Sequence, residues 1–589
     1  MQAIEWPSPI TSDLITQQAI TLTEIEVDDH GIYWIERRPN EKGRCALVKE
    51  GVGEVSPKQA NVRTPVHEYG GGAYCVQKGE GVFFDFKEKA LFSLSGEKID
   101  SDWLYADFAK RDSFLFAVGE KGDENCLILV GKGAVHQGHD FYASPVISPN
   151  GAQLAWITWD HPNMPWDSSD LWVADIQKEG TLSNICHVAG GDHISVMEPK
   201  WAPDGTLYFL SDEKNGFWNL MTLSGPLSLM EADIGSPHWI FGEDHYAFYK
   251  DQIAAVYTKK GVDHLVLIDR KTGKYSPVDL PFVTIRDLHS TQDKLVFLGT
   301  KIDQPTGIYT LQDKELTLLK TSQHLSIDEG YLSTPQHITF PTTGGKEAYG
   351  FYYSPKNKDI DPSLYTTPPL IVMSHGGPTS QTTAAFNLKI QFWTSRGFAV
   401  LDVNYGGSSG YGRLYRERLK GNWGIVDVDD CANGALYLAK QGLVDPKRLY
   451  IRGSSAGGYT TLAALTFKDV FAKGASYYGI ADLEALALHT HKFEAHYTDG
   501  LIGPYPKERQ LYLDRSPIHH IDQLSCPVIL FQGEEDRVVP KEQAEMMFNA
   551  LKTKGIKTEY HLYPGEQHGF RMAEHIKASL EAELLFYTR

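Results

Sequence analysis

Residues 449–465 read "LYIRGSSAGGYTTLAAL": a short apolar strand, a turn crowded with small residues, and the opening of an apolar helix. A G-x-S-x-G sequence between a strand and a helix is a nucleophile elbow, which holds its central serine at strained backbone angles above a sheet. The residues two positions before and after that serine come so close that only very small ones fit. Gly453-Ser454-Ser455-Ala456-Gly457 satisfies this with Ser455 at the centre. Centring on Ser454 would put Arg452 and Ala456 where glycines are needed, so Ser454 is expected to be a support residue.

An elbow of this kind needs a mostly parallel sheet, and the surrounding sequence supplies one. From about residue 331 onward, apolar strand-like runs alternate with helical patterns. The runs are "HITF", "EAYGFYYS", "PLIVMSHGG", "FAVLDVNYGG", "RLYIRGS", "GASYYGI", "PVILFQGEE" and "TEYHLYPGE". Segments such as Asp427–Leu443 and Lys541–Gly555 carry helix periodicity between them. Buried strands linked by helices make an α/β domain, and eight runs in this order match the α/β-hydrolase fold, with the first two as its antiparallel start.

A serine hydroxyl is a weak nucleophile at neutral pH and needs a base. In this fold the chain order is serine, then acid, then histidine. After "PVILFQG" comes "EEDRVVP", which offers Asp536, with Glu534 and Glu535 as rivals. After "TEYHLYP" comes "GEQHGF", which offers His568 in a glycine-flanked loop. Both loops leave the C-terminal ends of strands, where open α/β sheets place their sites. His561, inside the preceding strand, reads as a packing residue. The tetrahedral intermediate of acyl transfer also needs an oxyanion hole. One donor is expected from the backbone N–H of Ala456, just after the nucleophile, and another from the glycine-rich loop "SHGGPTS", residues 374–380; each donor is worth about 3 kcal/mol.

Residues 21–330 have another rhythm. Short aromatic and β-branched runs recur between turns: "IYWI" at Ile32, "VFFD" at Val82, "FLFA" at Phe114, "LAWI" at Leu154, "LYFL" at Leu207, "YAFY" at Tyr246 and "LVFL" at Leu295. Their starts lie 50, 32, 40, 53, 39 and 49 residues apart. A spacing of about 44 residues fits four short strands per unit, the blade of a β-propeller. Seven cores predict seven blades, with a β-sandwich or stacked hairpins as the alternative. The expected order is a seven-bladed all-β propeller over 21–330 and an α/β-hydrolase domain over 331–589. Residues 1–20 form an extension expected to pack on the hydrolase domain.

Bulk properties narrow the partners. A net charge of −19, from 75 acidic and 56 basic residues, argues against nucleic acid or an anionic membrane surface. No apolar run approaches the ~18 residues of a membrane span. The opening "MQAIEWPSPITSDLITQ" lacks a basic region followed by an apolar one, so no secretory signal is expected. The six cysteines are scattered without a C-x-x-C pair, which suggests reduced thiols, no zinc site and a cytoplasmic location.

The segments "SHGGPTSQ", "DVNYGGSSGYG", "NWGIVDVDD", "RGSSAGGYTTLAAL", "GEEDRVVP" and "GEQHGF" together resemble the prolyl oligopeptidase family of serine peptidases, and most closely its acylaminoacyl-peptidase and dipeptidyl-aminopeptidase-like branch. "NVRTPVHEYGGGAY" and "WDHPNMPWDSSDLW" are similar to the propeller of a bacterial aminopeptidase subgroup. The resemblance implies cofactor-free peptide hydrolysis by Ser455, Asp536 and His568. It also implies Gly377 N–H as the oxyanion partner of Ala456, and a propeller that lies over the site and admits short peptides. Some family members place a tyrosine donor where this chain has His375, so a backbone-only hole is expected here. The paired-glutamate motif with which dipeptidyl peptidases grip a free N-terminus is not evident. Candidate carboxylates for such an amine are Glu68 in "VHEYGGG" and Glu494 in "HKFEAHYTDG". The expected function is a serine peptidase on short peptides, of aminopeptidase, acylaminoacyl-peptidase or oligopeptidase type. The alternatives are an esterase or amidase on small non-peptide substrates, and an inert hydrolase whose propeller binds proteins. A homo-oligomer is compatible with the sequence, which leaves the oligomeric state open.

Overall fold

The computed structural model describes residues 6–17, 19–361 and 367–589. Among these, residues 21–321 form seven four-stranded antiparallel sheets. They span 21–54, 74–100, 104–136, 141–190, 196–226, 246–278 and 284–321, numbered here as blades I to VII. Each blade is built from four consecutive strands, so no strand is lent across the ring. In six blades the apolar core read from the sequence is the second strand. That strand reads as a continuous apolar run because blades stack face to face and bury both of its sides. Leu154, Ala155, Trp156 and Ile157 are all at most 3% exposed. Blade VI differs from the expectation: "YAFY" is its innermost strand, Tyr246–Tyr249, and the second strand is Gln252–Lys259. Two adjacent apolar strands made either one a plausible core, which explains the uneven spacing around that unit.

A feature without a sequence motif braces the ring. The innermost strands of blades I, IV, V and VII carry register shifts typical of β-bulges. Glu24, Ser144, Glu198 and Asp287 sit at these bulges with φ between 49° and 54°, and Asp107 in blade III has φ 54°. Such bulges re-aim a side chain. Here four acids each accept a backbone N–H from the next blade: Asp287 from Glu24 (2.9 Å), Glu24 from Ala73 (2.9 Å), Asp107 from Ser144 (2.6 Å) and Glu198 from His245 (2.8 Å).

Concentrating carboxylates inside the ring has an electrostatic cost. Burial pushes Glu24 and Asp287 up to about 7, Asp107 to about 6 and Glu26 to about 8. A carboxyl that titrates higher in the fold than in the free chain contributes stability below its ordinary range, near 4.5 for glutamate, and that stability is lost as pH rises through the raised value. Glu26→Gln is therefore expected to raise the unfolding temperature at pH 8.5, with the gain shrinking toward pH 5. Scanning fluorimetry at the two pH values checks this, and a pH-independent gain would refute the electrostatic account.

The remaining described chain forms one eight-stranded sheet. Its strands are β1 (Gln336–Thr342), β2 (Lys346–Tyr353), β3 (Leu370–Ser374), β4 (Ala399–Asn404), β5 (Leu449–Ser454), β6 (Lys473–Tyr477), β7 (Val528–Gly533) and β8 (Thr558–Tyr563). The order is β1-β2-β4-β3-β5-β6-β7-β8. β2 pairs antiparallel with β1 and β4, and the rest is parallel. The principal helices are α1 (Val426–Lys440), α2 (Ala456–Phe467), α3 (Glu542–Lys554) and α4 (Ala573–Thr588). This is the α/β-hydrolase fold. Among the described residues, no helix is long and apolar enough to cross a membrane.

Of the N-terminal extension, residues 1–5 and 18 lie outside the described residues. The remainder lies against the hydrolase domain. Ile10 is fully buried in its core, the Ser12 hydroxyl donates to Glu581 (2.5 Å), and Asp13 pairs with Lys577 (2.6 Å). The two connections to the propeller run side by side: Ile20 N–H donates to Ser322 O (2.9 Å), and the Gln323 amide donates to Leu14 O and Gln17 O.

Candidate active site

β5 ends at Ser454 and α2 begins at Ala456, so the turn between them is the single residue Ser455. Its backbone has φ 57° and ψ −122°, a region that costs a non-glycine residue about 1–3 kcal/mol. Neighbouring contacts hold it there. Ser455 N–H donates to Tyr477 O (2.9 Å) at the end of β6. A Cβ on Gly453 would lie 2.2 Å from Gly457 O, and one on Gly457 would lie 2.1 Å from Ser374 O. The glycine spacing is thus a packing requirement at both positions. Ser454 borders a separate cavity with Arg37, Arg452 and Tyr478.

The β7 and β8 loops meet at this turn. His568 Nε2 lies 2.8 Å from Ser455 Oγ, and His568 Nδ1 lies 2.7 Å from Asp536 Oδ2. The other carboxylate oxygen of Asp536 accepts the N–H groups of Val538 and Val539, both at 2.9 Å. The Asp536 side chain is fully buried. Those bonds fix the tautomer: Nδ1–H donates to Asp536, leaving Nε2 to accept the serine proton. Glu534 and Glu535 are exposed, and His561 stacks on Phe531 at 5.3 Å.

Gly377 (φ 117°) and Ala456 border the same cavity as Ser455. Contacts invisible in the motif hold the loop that carries Gly377. Tyr405 Oη donates to His375 O (3.1 Å) and Pro378 O (3.2 Å), and Trp239 of the propeller donates to Thr379 O (2.8 Å). His375 is occupied structurally. Its Nδ1–H donates to Gly376 O (2.8 Å), and its Nε2 accepts from Ser408 (2.7 Å). Burial pushes it down to about 4, so it is a neutral prop for the loop.

The two candidate carboxylates part company. Glu494 borders the Ser455 cavity together with Gly377 and Ala456. Burial pushes it up to about 7, partly offset by the Tyr69 hydroxyl, which donates to it at 2.5 Å. Glu68 (φ 67°) instead borders a neighbouring cavity with Asp536, Arg537 and His568. Burial raises it too, while Arg537 and Arg63 pull it back. The apolar lining of the Ser455 cavity comes from Trp423, Ile480, Leu486, Val538 and Val539. Tyr69, the neighbour of Glu68 in sequence, and Tyr405, in "DVNYGG", were within sight of quoted motifs, yet neither carries a local signal for its partner.

Among the described residues, one group brings three metal-type donors within 4.8 Å: Glu198, His238 and His245, inside the propeller. Its hydrogen bonding is self-contained. Arg286 donates to His245 Nε2 (3.4 Å), which leaves the proton on Nδ1 to donate to Glu198 (2.6 Å). A metal at Nδ1 would need the lone pair that this proton occupies.

Comparison with known proteins bears on the family. Residues 384–589 match the Peptidase_S9 family, described as the prolyl oligopeptidase family. Two curated relatives align over part of the chain: dipeptidyl aminopeptidase BIII of Pseudoxanthomonas mexicana (32% identical over 216 residues, 36% of this chain and 31% of that protein), and the acylamino-acid-releasing enzyme of Homo sapiens (31% over 219 residues, 36% and 30%). These alignments thus span about a third of each relative. A solved Mycobacterium tuberculosis structure, described as a puromycin-hydrolyzing peptidase, matches throughout, with 33% identity, TM-score 0.95, and coverage of 100% of this chain and 97% of that one. A likeness at this identity over both domains, with an assembled serine-histidine-aspartate constellation under a seven-bladed propeller, places the chain in the prolyl oligopeptidase family of serine peptidases.

Proposed function

We propose that the chain is a serine aminopeptidase that hydrolyses the first amide bond of short peptides and aminoacyl amides bearing a free N-terminal amine. One observation carries this reading: Glu494 borders the same cavity as Ser455 and the two oxyanion donors. A carboxylate that close to the nucleophile meets an amine on the very residue whose carbonyl is attacked, which favours removal of one residue. The apolar lining suits an apolar first side chain. The name of the Mycobacterium tuberculosis neighbour makes puromycin, an aminoacyl amide with a free amine, a natural test substrate.

In the proposed mechanism His568 Nε2 takes the Ser455 proton as Oγ attacks the carbonyl carbon. The oxyanion is received by the N–H groups of Gly377 and Ala456. His568 then gives its proton to the leaving amine, and the acyl-enzyme forms. Water, deprotonated by His568, attacks the acyl carbon, and the serine regains its proton as the free acid departs. Asp536 orients the imidazole and stabilises its cation. The propeller, seated over the cleft, favours short or unfolded chains as partners. A cytoplasmic location belongs to the same proposal; six free thiols, four of them buried, are compatible with a reducing compartment.

Removing a charged hydrogen-bond partner costs about 1.5–3 kcal/mol. Glu494→Gln is expected to lower kcat/KM on a free aminoacyl p-nitroanilide by about 10- to 100-fold, mostly through KM. Fluorophosphonate labelling of Ser455 should be unchanged, as should the slower turnover of the N-acetylated substrate. Equal losses on free and acetylated substrates would overturn the amine assignment. Glu68→Gln, run in parallel, tells whether the second carboxylate shares the amine.

A further inference from the structure

Four arginines border one cavity of about 590 Å³ between propeller and hydrolase domain; Arg286 pairs with Asp263, and the other three are Arg37, Arg63 and Arg571. The Nη1 atoms of Arg63 and Arg571 donate to the same neutral acceptor, Gln567 Oε1, at 3.1 and 3.0 Å. Among the described residues no carboxylate lies within salt-bridge distance of any of the three; Glu68 acts on Arg63 and Glu566 on Arg571 only from farther off. The carboxylate beside Arg571 in sequence, Glu566, is engaged elsewhere: its oxygens accept the backbone N–H groups of Arg571 and Met572, both at 2.9 Å. Burial pushes Arg571 down to about 10 and lowers Arg63 as well. Each guanidinium has five N–H donors in a planar fork suited to a carboxylate, and the Gln567 contact uses one from each. An interdomain hydrogen bond alone would not call for two charges at one amide oxygen.

The location gives the cluster a use. His568, next to Gln567, hands its proton to the leaving amine, so the leaving peptide extends on the His568 side of Ser455. A cavity of about 710 Å³ there is bordered by His568, Gln567, Arg63 and Arg571 together, with Glu68, Glu120, Glu534 and Glu535 also on its walls. Glu494 and the oxyanion donors border the other cavity. We propose that Arg63 and Arg571 bind the free C-terminal carboxylate of a short peptide on the leaving-group side of Ser455, so that the site gauges both ends of its substrate. This rests on the aminopeptidase reading above and adds to it a preference for small free-acid peptides. Arg37, which donates to Thr21 Oγ1 (3.1 Å), borders the adjoining cavity with Arg63 and Arg571.

The test compares Leu-Gly-Gly, its C-terminal amide, and leucine p-nitroanilide, which has no carboxylate, using the full chain. Wild type should show kcat/KM about 10- to 100-fold higher for the acid than for the amide. Arg63→Gln and Arg571→Gln should each bring the acid down toward the amide's value while leaving leucine p-nitroanilide little changed. The wild-type acid-to-amide ratio needs no variant and so survives a folding defect. A ratio near one, or variants that depress all three substrates together, would overturn the inference while leaving the aminopeptidase reading intact. If no free-amine substrate is hydrolysed, that reading fails and takes this inference with it.

Discussion

Ser455→Ala should lower kcat by about 10⁶-fold and abolish fluorophosphonate labelling. The size follows from what is removed. Alanine keeps the Cβ and tolerates the backbone angles of the elbow as well as serine does, so the glycine packing at Gly453 and Gly457 is undisturbed. The Gly377 and Ala456 donors stay in place. What disappears is the oxygen that sits 2.8 Å from His568 Nε2, and with it the acyl-enzyme. The residual rate is that of water attacking a carbonyl in a prepared oxyanion hole, about 10³–10⁴ above solution. Labelling of the variant at the wild-type level would mean that another nucleophile carries the reaction.

Asp536→Asn should lower kcat by about 10⁴-fold while leaving stability nearly intact. Here the reason is a proton in the wrong place. Asp536 Oδ1 accepts the N–H groups of Val538 and Val539. Only the oxygen of an asparagine can take that position, so its NH₂ must point at His568. His568 Nδ1 would then have to accept, which moves the ring proton to Nε2, the atom that must be empty to receive the serine proton. The loss should shrink at high pH, where hydroxide substitutes for the missing base. Full activity at neutral pH would show that the imidazole is oriented by something other than Asp536.

The layout of the candidate site was legible in the sequence because each member sits where a strand ends. Ser455, Asp536 and His568 follow β5, β7 and β8, and a parallel sheet brings those ends to one edge whatever the intervening chain does. The glycines around Ser455 were readable for a related reason: a steric demand leaves no choice of residue. The propeller was readable as a repeat, since four-strand units recur with apolar second strands. The assignment slipped at blade VI because "YAFY" and "IAAV" are equally apolar and their starts lie only seven residues apart. Supports acting at long range had no signal. Tyr69 reaches Glu494 across 425 positions, and Arg63 meets Gln567 across 504. The bulge acids were hidden differently: Glu24, Asp107, Glu198 and Asp287 look like solvated charges until the positive φ turns them toward the next blade.

The paired linkers at Ile20 and Ser322 also bear on how the two domains relate. Because residues 6–17 return to the hydrolase domain, the propeller is topologically an excursion from that domain, leaving and rejoining it one hydrogen bond apart. An excursion tethered at one point is a door on a single hinge. Side-chain contacts hold the closed position at several places: Arg63 meets Gln567, Trp239 meets Thr379, and Arg413 and Arg416 pair with Asp212. The Trp239 contact touches the loop of the proposed oxyanion hole, so opening the door there would also loosen that loop.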